Sequence, residues 1–213
     1  MKIKRDDDYF DIDLDLDLGA ANGVLDDVFY LKDLKQRKLF LNCNIDQWAV
    51  HELKKFILQY NKEDKGIPAE ERKPILFYIT SNGGDVGAGF ELIDVIINSI
   101  TPVYTINIGF QYSMALLVGL AGHKRFATKN STYLMHDGSN FIYNSGAKVR
   151  DQMEFNARLE DRMKEYILAR TKLTSEVYDE KYRVEWYLFA DEAKENGFVD
   201  YIIGEDCDIE AII

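Results

Sequence analysis

Ser113 is the residue whose type and setting carry the most chemistry. It lies in Gly109-Phe110-Gln111-Tyr112-Ser113-Met114, between a β-like run (103–108) and an apolar, helix-like run (115–121). A serine at a strand-to-helix junction gains the positive end of the helix and its free backbone N–H groups. Those donors can stabilise an oxyanion. Position alone leaves two roles open for Ser113, nucleophile of a hydrolase or plain helix cap.

A serine hydroxyl is a weak nucleophile until a base takes its proton. The chain offers three histidines, at 51, 123 and 136. His51 falls inside an amphipathic helix. His123 lies in the turn Ala121-Gly122-His123-Lys124-Arg125, where neighbouring cations push an imidazole pKa down. His136 ends an apolar strand directly before Asp137-Gly138. Active sites of α/β sheets gather at strand ends, so elimination leaves His136 as the candidate base.

An acyl-transfer site also needs an oxyanion hole. Gly83-Gly84 follows a strand and opens a helix, where glycine lets backbone N–H groups approach a ligand. No lysine follows at phosphate-loop spacing. The Met114 amide, next to Ser113, is a natural second donor. A third group should orient the histidine, but among 37 acidic residues position alone selects none.

These residues need strand ends and helix starts to hold them. Residues 39–43 read as a strand, and Asp46-Gln47-Trp48 opens a helix with Val50, Leu53, Phe56, Ile57 and Tyr60 on one face. Residues 75–80 read as a buried strand, with a turn at 81–85 and a helix that Pro102 ends before the strand 103–108. This alternation predicts parallel strands joined by crossover helices, an α/β fold. Residues 132–136 form another strand. A long charged helix is expected over 147–171, polar in its middle as in helices that project or pack on a partner. Short helices at 175–182 and 191–196 precede a final strand at 198–203, with Gly197 as a helix stop. No internal repeat is visible.

Composition narrows the function classes. With 213 residues and 46% hydrophobic content the chain is expected to form one domain with a sizeable core. A net charge of −11 argues against nucleic acid or an anionic membrane as the main partner. Residues 1–30 hold nine aspartates, and 11–18 alternate Asp with apolar residues, read as an acidic, solvated arm. No apolar signal core follows Met1-Lys2-Ile3-Lys4-Arg5, so the chain reads as cytoplasmic and without a membrane span. Cys43 sits in an apolar run as an expected core thiol, far from Cys207. No CxxC pair exists, and no metal or other cofactor is expected.

In this order, the motifs resemble the proteolytic subunit of the Clp protease. The family's Tyr-Ile-Asn-Ser-Pro-Gly-Gly is matched by Tyr78-Ile79-Thr80-Ser81-Asn82-Gly83-Gly84, and its Gly-x-x-x-Ser-Met-Gly by 109–115. Ala121-Gly122, Arg125-Phe126, Asn130-Ser131 and Leu134-Met135-His136 follow as in the family. Phe189-Ala190-Asp191-Glu192-Ala193 through Gly197-Phe198-Val199-Asp200 resembles its closing motif. The likeness covers about residues 38–203. Departures are Asn82 for proline, Ala115 for glycine, Asp137-Gly138 for Gln-Pro, and Val184, beside Arg183, for an arginine.

The resemblance implies a Clp/crotonase-type ββα spiral head domain over 38–213, an N-terminal arm or axial loop over 1–37, and a projecting handle helix at 147–171. It implies a serine endopeptidase with Ser113 as nucleophile, His136 as base, and Gly84 and Met114 N–H groups as oxyanion donors. The position of the family's triad aspartate falls on Glu185, with Asp179 as the lesser substitute. Gly138, Ser139 and Asn140 would bind extended peptide. Leu76, Tyr78 and Phe126 would dock an AAA+ unfoldase, and one or two seven-membered rings are implied. Two alternatives remain: a catalytically silent ring subunit of the same fold, and a crotonase-type acyl-CoA enzyme.

Overall fold

A computed structural model describes residues 24–139 and 142–213. The expected acidic alternation at 11–18 therefore lies outside the described residues. The last part of the expected arm is helix α1 (Val24–Lys35), whose Leu34 packs on the core and whose backbone carbonyl there accepts from the Tyr60 hydroxyl at 2.8 Å.

The chain then makes the same move four times. β1 (Lys38–Leu41) leads to a single bridge at Ile45 and to α2 (Gln47–Glu63). β2 (Ile75–Ile79) leads to a bridge at Ser81 and to α3 (Val86–Ile97). β3 (Val103–Asn107) leads to β4 (Phe110–Tyr112) and α4 (Met114–Leu120). β5 (Lys124–Thr128) leads to β6 (Thr132–Met135) and α5 (Gly146–Arg170). Each turn places a strand in a large sheet, a shorter strand or bridge in a second sheet, and a helix outside them. This is the ββα spiral. α6 (Ser175–Lys181), β7 (Trp186–Phe189), α7 (Ala190–Glu195) and β8 (Tyr201–Ile203) close the chain.

The large sheet runs β1-β2-β3-β5-β8 and is parallel throughout. The small sheet runs β4-β6-β7, with β4 and β6 parallel and β7 antiparallel to β6. All five residues of β2 are buried, as expected for a strand covered on both faces. Period-two alternation splits them. Ile75, Phe77 and Ile79 join the main core with α2, α3 and α4. Leu76 and Tyr78 point to a second cluster with Ile106, Phe126 and Ile212.

Polar contacts fix the ends of these elements. Asp46 caps α2 by accepting from the Trp48 and Ala49 N–H groups at 2.9 Å. Arg125 on β5 is a hub: its guanidinium grips the Asp200 carboxylate and donates to the carbonyls of Arg170 and Gly197 at 2.7 and 2.9 Å. One side chain thus ties the large sheet to the end of α5 and the start of β8. The far half of α5 is different. Ile167 is the buried residue of this helix, while Met153 and Phe155 are exposed.

The differences from the sequence reading are local. Cys43 is exposed rather than a core thiol, because β1 ends at Leu41 and the chain turns out before Ile45 re-enters the core. The segment expected as a turn at 121–125 ends in strand β5, and the final strand is shorter than 198–203. The helix expected at 147–171 spans Gly146–Arg170. No helix of the described residues is long and apolar enough to cross a membrane.

Arg37, between α1 and β1, donates to both carboxylate oxygens of Asp64 at 2.7 and 2.8 Å. Asp64 is 2% exposed and also accepts from Thr101 Oγ1 at 2.7 Å. Burial pushes its carboxyl up, but the hydrogen bonds from Arg37 and Thr101 more than reverse this and hold it below the usual carboxylate range. The folded state then binds this proton more weakly than the unfolded chain does. The contribution to stability is full above the unfolded carboxylate value of about 3.9 and is lost as pH falls toward the folded value. Asp64→Asn should cost up to about 3–5 kcal/mol at neutral pH, because it leaves Arg37 with only the more exposed Glu63 carboxylate, 3.4 Å away. Denaturant unfolding should show the gap between the two proteins narrowing as pH is lowered through 4.

Candidate active site

The small sheet positions the three predicted side chains. Ser113 follows β4, His136 follows β6, and Glu185 precedes β7, which runs the other way. All three therefore sit at one end of the sheet. The register makes this specific. Tyr112 pairs with Leu134, and the Ser113 N–H donates to the Leu134 carbonyl at 2.9 Å. Met135 pairs with Trp186, so the next step places His136 against Glu185. His136 Nδ1 and Glu185 Oε1 are 2.9 Å apart.

Ser113 occupies the N-cap position of α4 but makes no capping hydrogen bond with its side chain. The cap role open at the sequence level is thus not the one it fills. Its φ of +54° is in the left-handed region, which costs a non-glycine residue about 1–2 kcal/mol. Such strain is the mark of a sharp strand-to-helix elbow that turns a side chain outward. Ser113, Met114, His136 and Gly138 line one cavity of about 50 Å³, together with Tyr178 and Tyr182. Among the described residues the hydrogen-bonded pair is His136–Glu185. Ser113 shares the cavity wall with His136 but not a hydrogen bond, a spacing common in unliganded catalytic sites.

Glu185 has two donors. The hydrogen bond from His136 is the stronger influence, and with that from the Tyr187 hydroxyl at 3.2 Å it holds the carboxyl below its ordinary range. Glu185 is then an anion near neutral pH and only accepts, so His136 Nδ1 carries the proton and Nε2 is left as the basic nitrogen. Glu185 is 59% exposed, so its carboxylate is more solvated than a buried one. Asp179, the lesser substitute, is paired with Lys164 at 2.6 Å. Asp137 is exposed.

The other histidines are occupied elsewhere. His123 Nδ1 accepts from the Val103 N–H at 3.1 Å. Burial is the main reason that its pKa is lowered, with Arg170 adding to it, rather than the adjacent Lys124 and Arg125. His51 is exposed on α2.

The glycine pair has two separate tasks. A Cβ on Gly83 would lie 2.8 Å from the Met114 nitrogen and 2.9 Å from Ser113 Cβ, so Gly83 is what lets this turn touch the elbow. Its own N–H is taken by Ser81 Oγ at 3.1 Å. Gly84 packs on the Ile45 backbone, and its N–H makes no hydrogen bond among the described residues. The Met114 N–H, at the first helical position, has no partner within its own helix. Gly84 and Ser139 line a second, larger groove of about 740 Å³ that runs along α3 and the middle of α5. Asn140 lies outside the described residues. Leu76, Tyr78 and Phe126 form an apolar patch on the opposite face of the large sheet, and Ile212 covers it, its carbonyl accepting from the Tyr78 hydroxyl.

Sequence reasoning missed Gly83 as the contact to Ser113, and it missed Tyr187. Residues two apart on a strand share a face, so Tyr187 was within reach of the same logic once Glu185 was named. Among the described residues, no group of three or more His, Cys, Asp or Glu side chains is gathered as a metal site.

Gly83→Ala should destabilise the protein well beyond Gly66→Ala. Both positions have positive φ, but a Cβ at Gly66 meets open space. Denaturant unfolding should show a loss of about 1 kcal/mol for Gly66→Ala and clearly more for Gly83→Ala.

Comparison with known proteins gives the family. A family model described as Clp protease matches residues 24–206. The ATP-dependent Clp protease proteolytic subunit 2 of Treponema pallidum is 29% identical over 188 residues, covering 85% of this chain and 89% of its own. The subunit of the same name from Corynebacterium efficiens is 31% identical over 188 residues, covering 87% and 90%. The proteolytic subunit 1 of Corynebacterium jeikeium is 31% identical over 180 residues, covering 83% and 92%. With a family model matched over most of its length and relatives 31% identical, this chain belongs to the Clp protease family.

Proposed function

We propose that the chain is the serine endopeptidase subunit of a self-compartmentalising barrel. The observation that carries this reading is the delivery of Ser113, His136 and Glu185 to one end of a three-stranded sheet, with His136 already bonded to Glu185 at 2.9 Å. Ser113 Oγ attacks the peptide carbonyl carbon as its proton passes to His136 Nε2. Glu185 holds the ring and stabilises the imidazolium. The carbonyl oxygen becomes an oxyanion between the Gly84 and Met114 N–H groups. Collapse breaks the C–N bond, and the leaving amine takes the proton from His136. Water, deprotonated by His136, then releases the acyl group from Ser113.

The substrate is an unfolded polypeptide. It lies extended along Gly138, Ser139 and Asn140 by main-chain pairing, and the groove between α3 and α5 gives it room. The relatives' names describe ATP-dependent proteases, which supports delivery by an AAA+ unfoldase. Leu76, Tyr78 and Phe126 are the apolar docking residues, reached once the Ile209–Ile212 turn moves off them. The exposed Met153 and Phe155 on α5 suit a handle buried between copies in rings of seven, one or two per barrel. The work is done in the cytoplasm.

A second reading, a catalytically silent ring subunit, is favoured by the open Ser113–His136 contact and the exposure of Glu185. A fluorophosphonate probe separates the two. The peptidase reading expects assembled protein to be labelled at Ser113, with Ser113→Ala unlabelled and Glu185→Gln slower by up to about 10⁴-fold in peptide hydrolysis. Native mass measurement should give a seven- or fourteen-subunit particle. Assembled rings that take no label would establish the silent reading.

A further inference from the structure

Glu185 is the most exposed member of the predicted triad. Its carboxylate also hangs on one more rotatable bond than an aspartate's. A long, solvated side chain loses rotamer freedom when it is fixed in one place. Even so, each of its oxygens has a donor of its own. Oε1 lies 2.9 Å from His136 Nδ1, and the Tyr187 hydroxyl donates to Oε2 at 3.2 Å. A carboxylate held at one oxygen can swing about its last torsion, and one held at both cannot.

Tyr187 is placed to be that second donor. Residues two apart along an extended chain share a face, so the Glu185 and Tyr187 side chains rise together. Tyr187 pairs with Leu134, and Leu134 with Tyr112. The rings of Tyr187 and Tyr112 meet edge to face, with centroids 5.8 Å apart and planes at 87°. The Tyr112 hydroxyl is in turn 2.9 Å from Thr132 Oγ1 on β6. The donor is thus a stiff ring on two torsions, braced on the strand that leads into His136. The bond to Glu185 raises the phenol pKa, so the hydroxyl keeps the proton that it donates. Both side chains are exposed, and a polar pair at the surface adds little to stability. What this pair fixes is the direction of the carboxylate.

We propose that Tyr187 is a positioning residue of the peptidase reaction. Its hydroxyl holds Glu185 Oε2 so that Oε1 stays on His136 Nδ1, and it offsets the added length of a glutamate where the Clp protease family has an aspartate. This role rests on the peptidase reading. It makes Glu185 and Tyr187 a matched pair. An aspartate, shorter by one carbon–carbon bond of about 1.5 Å, would take one of the two partners out of hydrogen-bond reach.

The test measures hydrolysis of one fluorogenic peptide by four proteins: unaltered, Tyr187→Phe, Glu185→Asp and the double variant, each assembled by native mass. Tyr187→Phe keeps the ring and loses only the hydroxyl. In the unaltered background it should lower kcat about 3–10-fold, the equivalent of one net hydrogen bond, with KM unchanged. In the Glu185→Asp background the same change should alter kcat by less than about 2-fold. A purely structural role would lower both backgrounds by the same factor. An unchanged kcat in Tyr187→Phe, or equal falls in the two backgrounds, overturns the proposal. Crystal structures of the assembled unaltered protein and of Tyr187→Phe carry the comparison without turnover. Glu185 should keep one conformer on His136 in the first, and leave it or divide between conformers in the second. That result without hydrolysis by the unaltered protein would sink the peptidase reading and leave the positioning role standing. Glu185 unmoved in Tyr187→Phe would sink the positioning role.

Discussion

The pairing register of the small sheet is the constraint on which the site depends. β4, β6 and β7 contribute three or four residues each, and their alignment decides which side chains meet. Side chains alternate between faces with period two, so a slip of one residue in β7 would turn Glu185 away from His136 and put Val184 or Trp186 in its place. The antiparallel direction of β7 matters equally. It brings the start of that strand to the end where β4 and β6 finish. The register is held from outside the site. Leu188 and Tyr133 bury the middle of the ladder, and the Ser113 N–H to Leu134 carbonyl bond ties the elbow to β6.

Strain and packing then set the elbow. Ser113 pays for its positive φ through its neighbours: Gly83 fits against it where a Cβ would not, and all seven residues of α4 are buried behind it. Arg125 anchors the end of α5 to the large sheet, and the Tyr166 hydroxyl donates to the Leu117 carbonyl at 2.9 Å. These contacts hold the base of α5 beside the cavity while its first half stays exposed. One helix thereby borders the site at one end and leaves the other end exposed.

Much of this was legible in the sequence because the large elements carry strong patterns. The apolar stripe of α2, the continuous run of β2 and the stop at Gly197 appear where periodicity and glycine placed them. The short strands did not stand out. β4 has three residues, and β5 begins with Lys124 and Arg125, whose charges hide a strand that is buried at Phe126 and Ala127. The fourfold ββα repeat was invisible because it is a repeat of path, not of residues, and in its first two turns the short strand shrinks to one bridge. Local rules also could not choose among the acids. Glu185 came from family resemblance; in the structure it lies opposite His136, one step beyond the Met135–Trp186 pair, and 49 positions away in the chain.

The most direct test of this account is a crystal structure of the assembled protein after reaction with a peptidyl phosphonate. A bond from Ser113 Oγ to phosphorus is expected, with the phosphoryl oxygen about 2.7–3.1 Å from both the Gly84 and Met114 nitrogens. His136 Nδ1 is expected to remain on Glu185, with Nε2 turned toward the adduct. An adduct on another residue, or a His136 ring oriented by a group other than Glu185, would contradict this account.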